Sequence, residues 1–158
     1  MAITTGVGKL FLEELPLGIH TLSEGTPDPI KCAFYGPNAN INPVTPAYTT
    51  DGEISGAGYT AGGIAVPLTV VGRFGSARSA GTQFEHPYIQ PTNDTTLSVA
   101  GVAIRGCMLY NDSQSDRNIF TLDFGEARSA SVSLILDWGL SGVDEFRKVL
   151  IPLIGRQF

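Results

Sequence analysis

The hydrophobic residues of this chain follow a period of two over its last third. Large apolar side chains stand at every second position from Phe120 to Phe124, and again from Val132 to Trp138. This alternation is typical of antiparallel strands that bury one face. Polar stretches at residues 111–117 and 125–128 separate the apolar runs, so we predict turns there that join neighbouring strands into a meander.

The first half of the chain combines short periodic segments with one long irregular stretch. Ile30–Tyr35 alternates as a strand does, and Leu10 to Leu15 fits a short helix that Pro16 ends. Residues 36–63 are rich in proline and glycine and carry neither period. A loop of that length in a small domain is usually functional or held against a partner, so we predict a role for it in binding.

The remaining stretches are predicted from proline and glycine positions. Ile64 to Val71 indicates a strand that lies at a sheet edge or carries a bulge, because Pro67 cannot donate to a ladder. Leu97 to Tyr110 is a long apolar stretch in which Gly101 and Gly106 mark bulges. Residues 73–90 are predicted as a surface loop, and Leu140–Phe158 fits either a helix or an edge strand.

Composition supports one β-rich domain. The 158 residues include 19 glycines and 10 prolines, and only 16% are charged, where about 25% is usual. We therefore predict an all-β fold, an antiparallel β-sandwich in which a jelly-roll order is one option, with at most one or two short helices. The domain spans residues 1–158, and we expect the amino-terminal segment 1–29 and the tail 139–158 to make assembly contacts.

The charge balance excludes some classes of partner. A net charge of −5 lacks the basic excess that nucleic-acid phosphates require, so no direct nucleic-acid binding is expected. The first residues lack the features of a secretory signal, and no apolar run is long enough for a membrane span, so we expect synthesis in the cytoplasm and no membrane contact. Cys32 and Cys107 lie in apolar stretches and are predicted as buried thiols rather than a disulfide or metal site.

Motifs for chemistry are incomplete. Residues 56–61 fit a relaxed dinucleotide fingerprint but have neither the strand before nor the helix after it that phosphate binding needs. Residues 112–123 have carboxylates spaced as in an EF-hand loop, yet Arg117 stands where glycine is required. His20 and His86 have no nucleophile or metal-spaced partner. We therefore predict a chain that is not an enzyme and that has no metal and no cofactor.

Several segments resemble one known family. They are residues 48–63, ending in Gly-Tyr-Thr-Ala-Gly-Gly, Arg105–Asp112 with its Arg-Gly-x-x-x-Tyr-Asn-Asp pattern, and Asp-Phe-Gly at Asp123–Gly125. Together they resemble a family of small virion structural proteins of tailed bacteriophages, over roughly Leu10 to Trp138. Asp51-Gly52 ahead of Glu53 and the segment Leu140–Phe158 depart from the family pattern.

The resemblance implies a particle component without catalytic residues. The first expectation is a capsid decoration or cement protein in the virion, bound to the major capsid protein and to copies of itself as a homo-oligomer or symmetric array. Alternatives are a tail, collar or baseplate adaptor, and a carbohydrate-binding sandwich that uses Tyr48, Tyr59, Tyr88 or Trp138 for stacking. The residues expected to make contacts are Tyr48, Glu53, Tyr59, Arg105, Leu153 and Phe158.

Overall fold

The computed structural model describes residues 2–22, 26–56, 58–71, 88–99, 101–129, 134–136 and 151–152. Strand makes up 42% and helix 9%, which confirms the predicted all-β class with few helices. The strands are β1 (Gly6–Val7), β2 (Ile30–Tyr35), β3 (Ile64–Ala65), β4 (Leu68–Val71), β5 (Tyr88–Pro91), β6 (Thr95–Leu97), β7 (Ala103–Asn111), β8 (Arg117–Ser129), β9 (Leu134–Leu136) and β10 (Ile151–Pro152).

A short helix precedes the main strands, as predicted. Helix α1 (Lys9–Glu14) continues into a 3-10 turn over Leu15–Leu17 that contains Pro16. Gly18 follows at a φ of 68°, a left-handed conformation that ends helices and that glycine adopts at little cost. None of the helices in the described ranges has the length and hydropathy needed to cross a membrane.

The central sheet has five antiparallel strands in the order β1-β8-β7-β2-β3. The β7–β8 hairpin is its longest ladder, and the residues 112–116 form the polar turn that the sequence predicts. Two smaller sheets have the orders β10-β5-β4 and β6-β9. The boundaries of β2 agree with the predicted strand residue for residue.

Both faces of the central sheet are buried. Cys32, Phe34, Cys107 and Leu109 face one cluster, which the fully buried Phe11 of α1 also enters. Leu97 of β6 and Leu136 of β9 pack into the same cluster, so the β6–β9 ribbon forms a second layer on that face. The opposite face carries a second cluster of Ile3, Ala33, Tyr35, Ala39, Ile41, Met108 and Tyr110.

The long loop of residues 36–63 covers the second face. Ala47 bridges to Arg117 on the side of β8 that faces away from β7. Glu53 bridges to Tyr35 on the side of β2 that faces away from β7. The loop therefore reaches both sides of the β8-β7-β2 unit, and its Ile41 is fully buried between them. Such a loop is part of the packed structure rather than a free arm.

Four sequence predictions need correction. Residues 125–128 lie inside β8 and not in a turn, because Gly125 at a φ of 81° permits a bulge after which Arg128 pairs with Ile104. The last strands do not form a simple meander, since β9 pairs with β6. Pro67 separates β3 from β4, two strands of different sheets, rather than lying within one strand.

Other predictions have mixed outcomes. Tyr88–Gln90 belong to β5 instead of a surface loop, and residues 73–87 lie outside the described residues. A register shift between Ile104 and Gly106 confirms the bulge at Gly106, whereas Gly101 lies between strands. In the tail, Ile151–Pro152 pairs with β5 as a strand, and residues 140–150 and 153–158 lie outside the described part of the chain.

Candidate functional site

Three of the predicted contact residues meet at one carboxylate. Tyr48 donates a hydrogen bond from its hydroxyl to Glu53 Oε2 at 2.5 Å, and Tyr59 donates to Glu53 Oε1 at 2.6 Å. The backbone N–H of Gly62 also donates to Oε1, at 2.9 Å. We call this set of Glu53, Tyr48, Tyr59 and Gly62 the Glu53 centre.

Backbone contacts with β2 place Glu53. Ile54 N–H donates to the Phe34 carbonyl at 3.0 Å, next to the bridge between Glu53 and Tyr35. The preceding turn requires Gly52, which has a φ of 77° and whose Cβ, if present, would lie 2.7 Å from Ala39 Cα. The turn therefore packs too tightly against residue 39 to admit a side chain at position 52.

Tyr59 connects the centre to the hydrophobic core. Its hydroxyl accepts a hydrogen bond from the Phe34 N–H at 3.1 Å while it donates to Glu53. Its ring meets the Phe34 ring edge-on, with centroids 6.0 Å apart. Because Tyr59 is only 6% exposed, the hydroxyl lies away from water and needs both partners.

Two further tyrosines complete the surroundings of the centre. The ring of Tyr48 stacks on that of Tyr110, with centroids 4.7 Å apart and planes 18° from parallel. The Tyr110 hydroxyl donates to the Gly62 carbonyl at 2.5 Å, and the Tyr35 hydroxyl donates to the Thr49 carbonyl at 2.7 Å. Each side chain thus ties a different part of the loop to the sheet.

The electrostatics keep these hydroxyls protonated. Burial raises the pKa of Tyr59 far above its ordinary value, and the hydrogen bond to Glu53 raises it further. Burial and Glu53 act on the pKa of Tyr35 and Tyr48 in the same direction. A protonated tyrosine donates to a carboxylate, so three donors occupy the oxygens of Glu53. The arrangement is that of a structural anchor for the loop.

Arg105 lies in a different place. Its guanidinium forms a two-point ion pair with Asp123, with Nε 2.6 Å from Oδ1 and a terminal nitrogen 3.0 Å from Oδ2. The hydrogen bond from Arg105 lowers the pKa of the Asp123 carboxyl, against the effect of burial. Asp123 Oδ1 also accepts the Gly125 N–H at 2.9 Å, so this pair fixes the start of the β8 bulge. The other two predicted contact residues, Leu153 and Phe158, lie outside the described residues.

A second polar network escaped the sequence reasoning. Glu14 accepts from Arg117 Nε at 2.9 Å and lies 2.9 Å from Nε2 of His20, whose side chain is fully buried. Nδ2 of Asn111 lies 3.0 Å from His20 Nδ1 and 2.7 Å from Asp28 Oδ2. These residues link α1, the segment before β2 and the β7–β8 turn.

The tautomer of His20 follows from Asn111. Asn111 Oδ1 accepts from the N–H groups of Ser113 and Gln114 and from the Ser113 hydroxyl, so the amide nitrogen must face His20. His20 Nδ1 is then an acceptor, and Nε2 carries the hydrogen that it donates to Glu14. Burial raises the pKa of Glu14, but the hydrogen bonds from Arg117 and His20 outweigh it and hold the pKa below its ordinary value.

The EF-hand spacing does not produce a cation site. Asp112 pairs with Lys31 at 2.9 Å, and Arg117 is used by Glu14. Across the described ranges, no group of three or more His, Cys, Asp or Glu side chains is arranged to hold a metal ion. The acidic residues of this stretch therefore belong to a hairpin turn and its ion pairs.

The aromatic residues proposed for carbohydrate stacking have other uses. The Tyr48 ring stacks on Tyr110, and Tyr59 is buried in the core. Cys32 and Cys107 are both free and buried, as predicted. Comparison of the chain with family models, with curated proteins and with solved structures finds no match in any of the three.

Proposed function

We propose that this chain is a non-enzymatic structural protein of a tailed-phage virion that decorates the outside of the head and stabilises it. The family resemblance described above motivates the assignment. The observation that carries it further is the use to which the structure puts the most characteristic motif of that resemblance, Gly58–Gly63.

Every distinctive position of Gly58–Gly63 has a structural task. Tyr59 and the Gly62 N–H bind Glu53. Gly63 has a φ of 80°, and a Cβ there would lie 2.6 Å from the Cys32 carbonyl oxygen. A motif that shapes a loop, with its polar groups engaged inside the molecule, supports a role in shape and contact rather than in chemistry.

The mechanism is binding to the assembled shell only. The loop of residues 36–63 is held against the sheet, so little conformational entropy is lost when its exposed side meets a capsid surface. A protein that binds the assembled state and not the free subunits stabilises assembly by mass action. At a free concentration about 100 times Kd, each bound copy adds about 2.7 kcal/mol to the assembled state.

The test uses particles of a phage that encodes this chain, prepared with and without its gene. Both are heated in steps with a DNA-binding dye outside the particle. Particles without the protein should release DNA at a lower temperature, and addition of the purified chain, but not of albumin at the same concentration, should restore the release temperature. Equal release temperatures with and without the gene would contradict a cement role.

A further inference from the structure

The outer side of β8 is exposed beyond its first half. β1 pairs with β8 only at Phe120 and Thr121, and the hydroxyl of Thr5 then accepts the Asp123 N–H at 2.9 Å. From Gly125 to Ser129 every residue is exposed. Within the described ranges no strand pairs with this outer side, and we call residues 125–129 the β8 edge segment. An edge of this kind presents unpaired N–H and C=O groups to another strand.

The charges of the β8 edge segment are arranged symmetrically about Ala127. Glu126 precedes Ala127 and Arg128 follows it, and the two charged side chains form an ion pair at 2.9 Å on one face of the strand. They are 70% and 56% exposed, so this ion pair contributes little to the stability of a single molecule. Opposite charges at these two positions make the segment complementary to itself.

We propose that two copies of this chain pair through their β8 edge segments as antiparallel strands, with a two-fold axis at Ala127. In this register Glu126 lies opposite Arg128 of the second copy, and Arg128 lies opposite Glu126 of the second copy. Opposite charges directly across an antiparallel pair are attractive, and an isologous contact repeats the attraction twice. The same two charges in the parallel orientation, in register, would face like charges.

The edge segment is already ordered for such pairing. Arg105 holds Asp123, and Asp123 in turn accepts the Gly125 N–H, so the bulge that begins the segment has a fixed shape. At the other end, Arg128 and Ser129 pair with Ile104 and Ala103 of β7. Because the inner side of the strand is held by the sheet, pairing of the outer side costs little chain entropy.

The contact is small. Five residues per copy bury far less than the roughly 800 Å² per partner of a standard interface, so the pairing is weak in dilute solution. It gains when copies are concentrated or held side by side. The inference uses only the isolated chain and does not depend on the proposed virion role, so either can fail without the other.

Disulfide trapping at the two-fold axis tests the register. In Ala127→Cys the two thiols of a pair lie directly opposite, at a Cα separation of about 4.5–5.5 Å that a disulfide can span. In the control Ser129→Cys the thiols of a pair are about 13 Å apart along the strands, because residue 129 lies opposite residue 125. The native thiols, Cys32 and Cys107, are buried and do not interfere.

At high protein concentration with a mild oxidant, A127C should form covalent dimers at least about tenfold faster than S129C, since only its thiols meet in the paired state. Equal rates for the two variants, or no dimer from either, would overturn the proposal. Circular dichroism and the urea midpoint of each reduced variant show that the fold is retained.

Charge exchange in the A127C background tests the recognition. Glu126→Arg or Arg128→Glu alone replaces two attractive pairs with two repulsive ones and should slow dimer formation by roughly five- to fiftyfold. The double exchange E126R/R128E restores both attractive pairs and should recover the original rate. Single exchanges that leave the rate unchanged, or a double exchange that stays slow, would contradict pairing centred on Ala127.

Discussion

The Glu53→Ala substitution is predicted to lower the free energy of unfolding by about 3–5 kcal/mol. The substitution leaves three donors without their acceptor: the hydroxyls of Tyr48 and Tyr59 and the Gly62 N–H. Tyr59 is 6% exposed and cannot turn to water, so the loss there and at Gly62 is about 1–3 kcal/mol each. Tyr48 is half-buried and recovers some hydration, so its loss is about 0.5–1.5 kcal/mol.

Urea denaturation followed by tyrosine fluorescence measures this loss. For a chain of this length the same change lowers Tm by about 6–20 °C. Glu126→Ala is the matched control, because that carboxylate is 70% exposed and its loss should stay within about 0.5 kcal/mol. Tyr35→Phe removes only a hydrogen bond to the Thr49 carbonyl and should cost about 0.5–1.5 kcal/mol. A loss below about 1 kcal/mol for E53A, with an unchanged m value, would refute the anchoring role.

The remaining predictions concern the backbone and pH. Gly63→Ala should destabilise by at least about 1 kcal/mol more than Gly62→Ala: both positions have positive φ, but only at position 63 would a Cβ meet a backbone atom, the Cys32 carbonyl oxygen at 2.6 Å. Equal urea midpoints for the two variants would contradict this. Stability should fall as pH drops below about 4.5, because the folded state lowers the pKa of three carboxyls that the unfolded chain protonates first: Glu14, Asp28 and Asp123. It should also fall as pH rises above 10, because the folded state raises the pKa of four tyrosines that the unfolded chain deprotonates first: Tyr35, Tyr48, Tyr59 and Tyr110. A urea midpoint that stays constant across either range would contradict the corresponding ionisation.

Local periodicity predicted the strands whose pairing is local. The β7–β8 hairpin and the β2 boundaries follow from alternating residues and a polar turn. The partner of β9 could not be predicted in this way, since β6 lies far back in the chain and its choice depends on burial of Leu97 and Leu136 in the shared core. The continuation of β8 past Gly125 depends on Arg105 and Asp123, which meet only after β7 and β8 have paired.

The candidate site was predicted by residue and not by geometry. Tyr48, Glu53 and Tyr59 came from the family resemblance as surface contacts, whereas the structure brings them together inside the molecule. The acceptor of the Tyr110 hydroxyl is the Gly62 carbonyl, 48 positions earlier in the chain, and no local pattern indicates such a partner. The one available signal was the placement of tyrosines near the ends of apolar strands, where a buried hydroxyl needs a polar partner.

The copy number of this chain in purified particles tests the proposed role most directly. Quantitative mass spectrometry with isotope-labelled peptides gives its ratio to the major capsid protein in the same sample. A decoration protein that covers the head should be present in hundreds of copies per particle, in a simple ratio to the capsid subunit. A count of a few dozen or fewer would place the chain in a tail, collar or baseplate and contradict the account, and its absence from the particle would remove the virion role altogether.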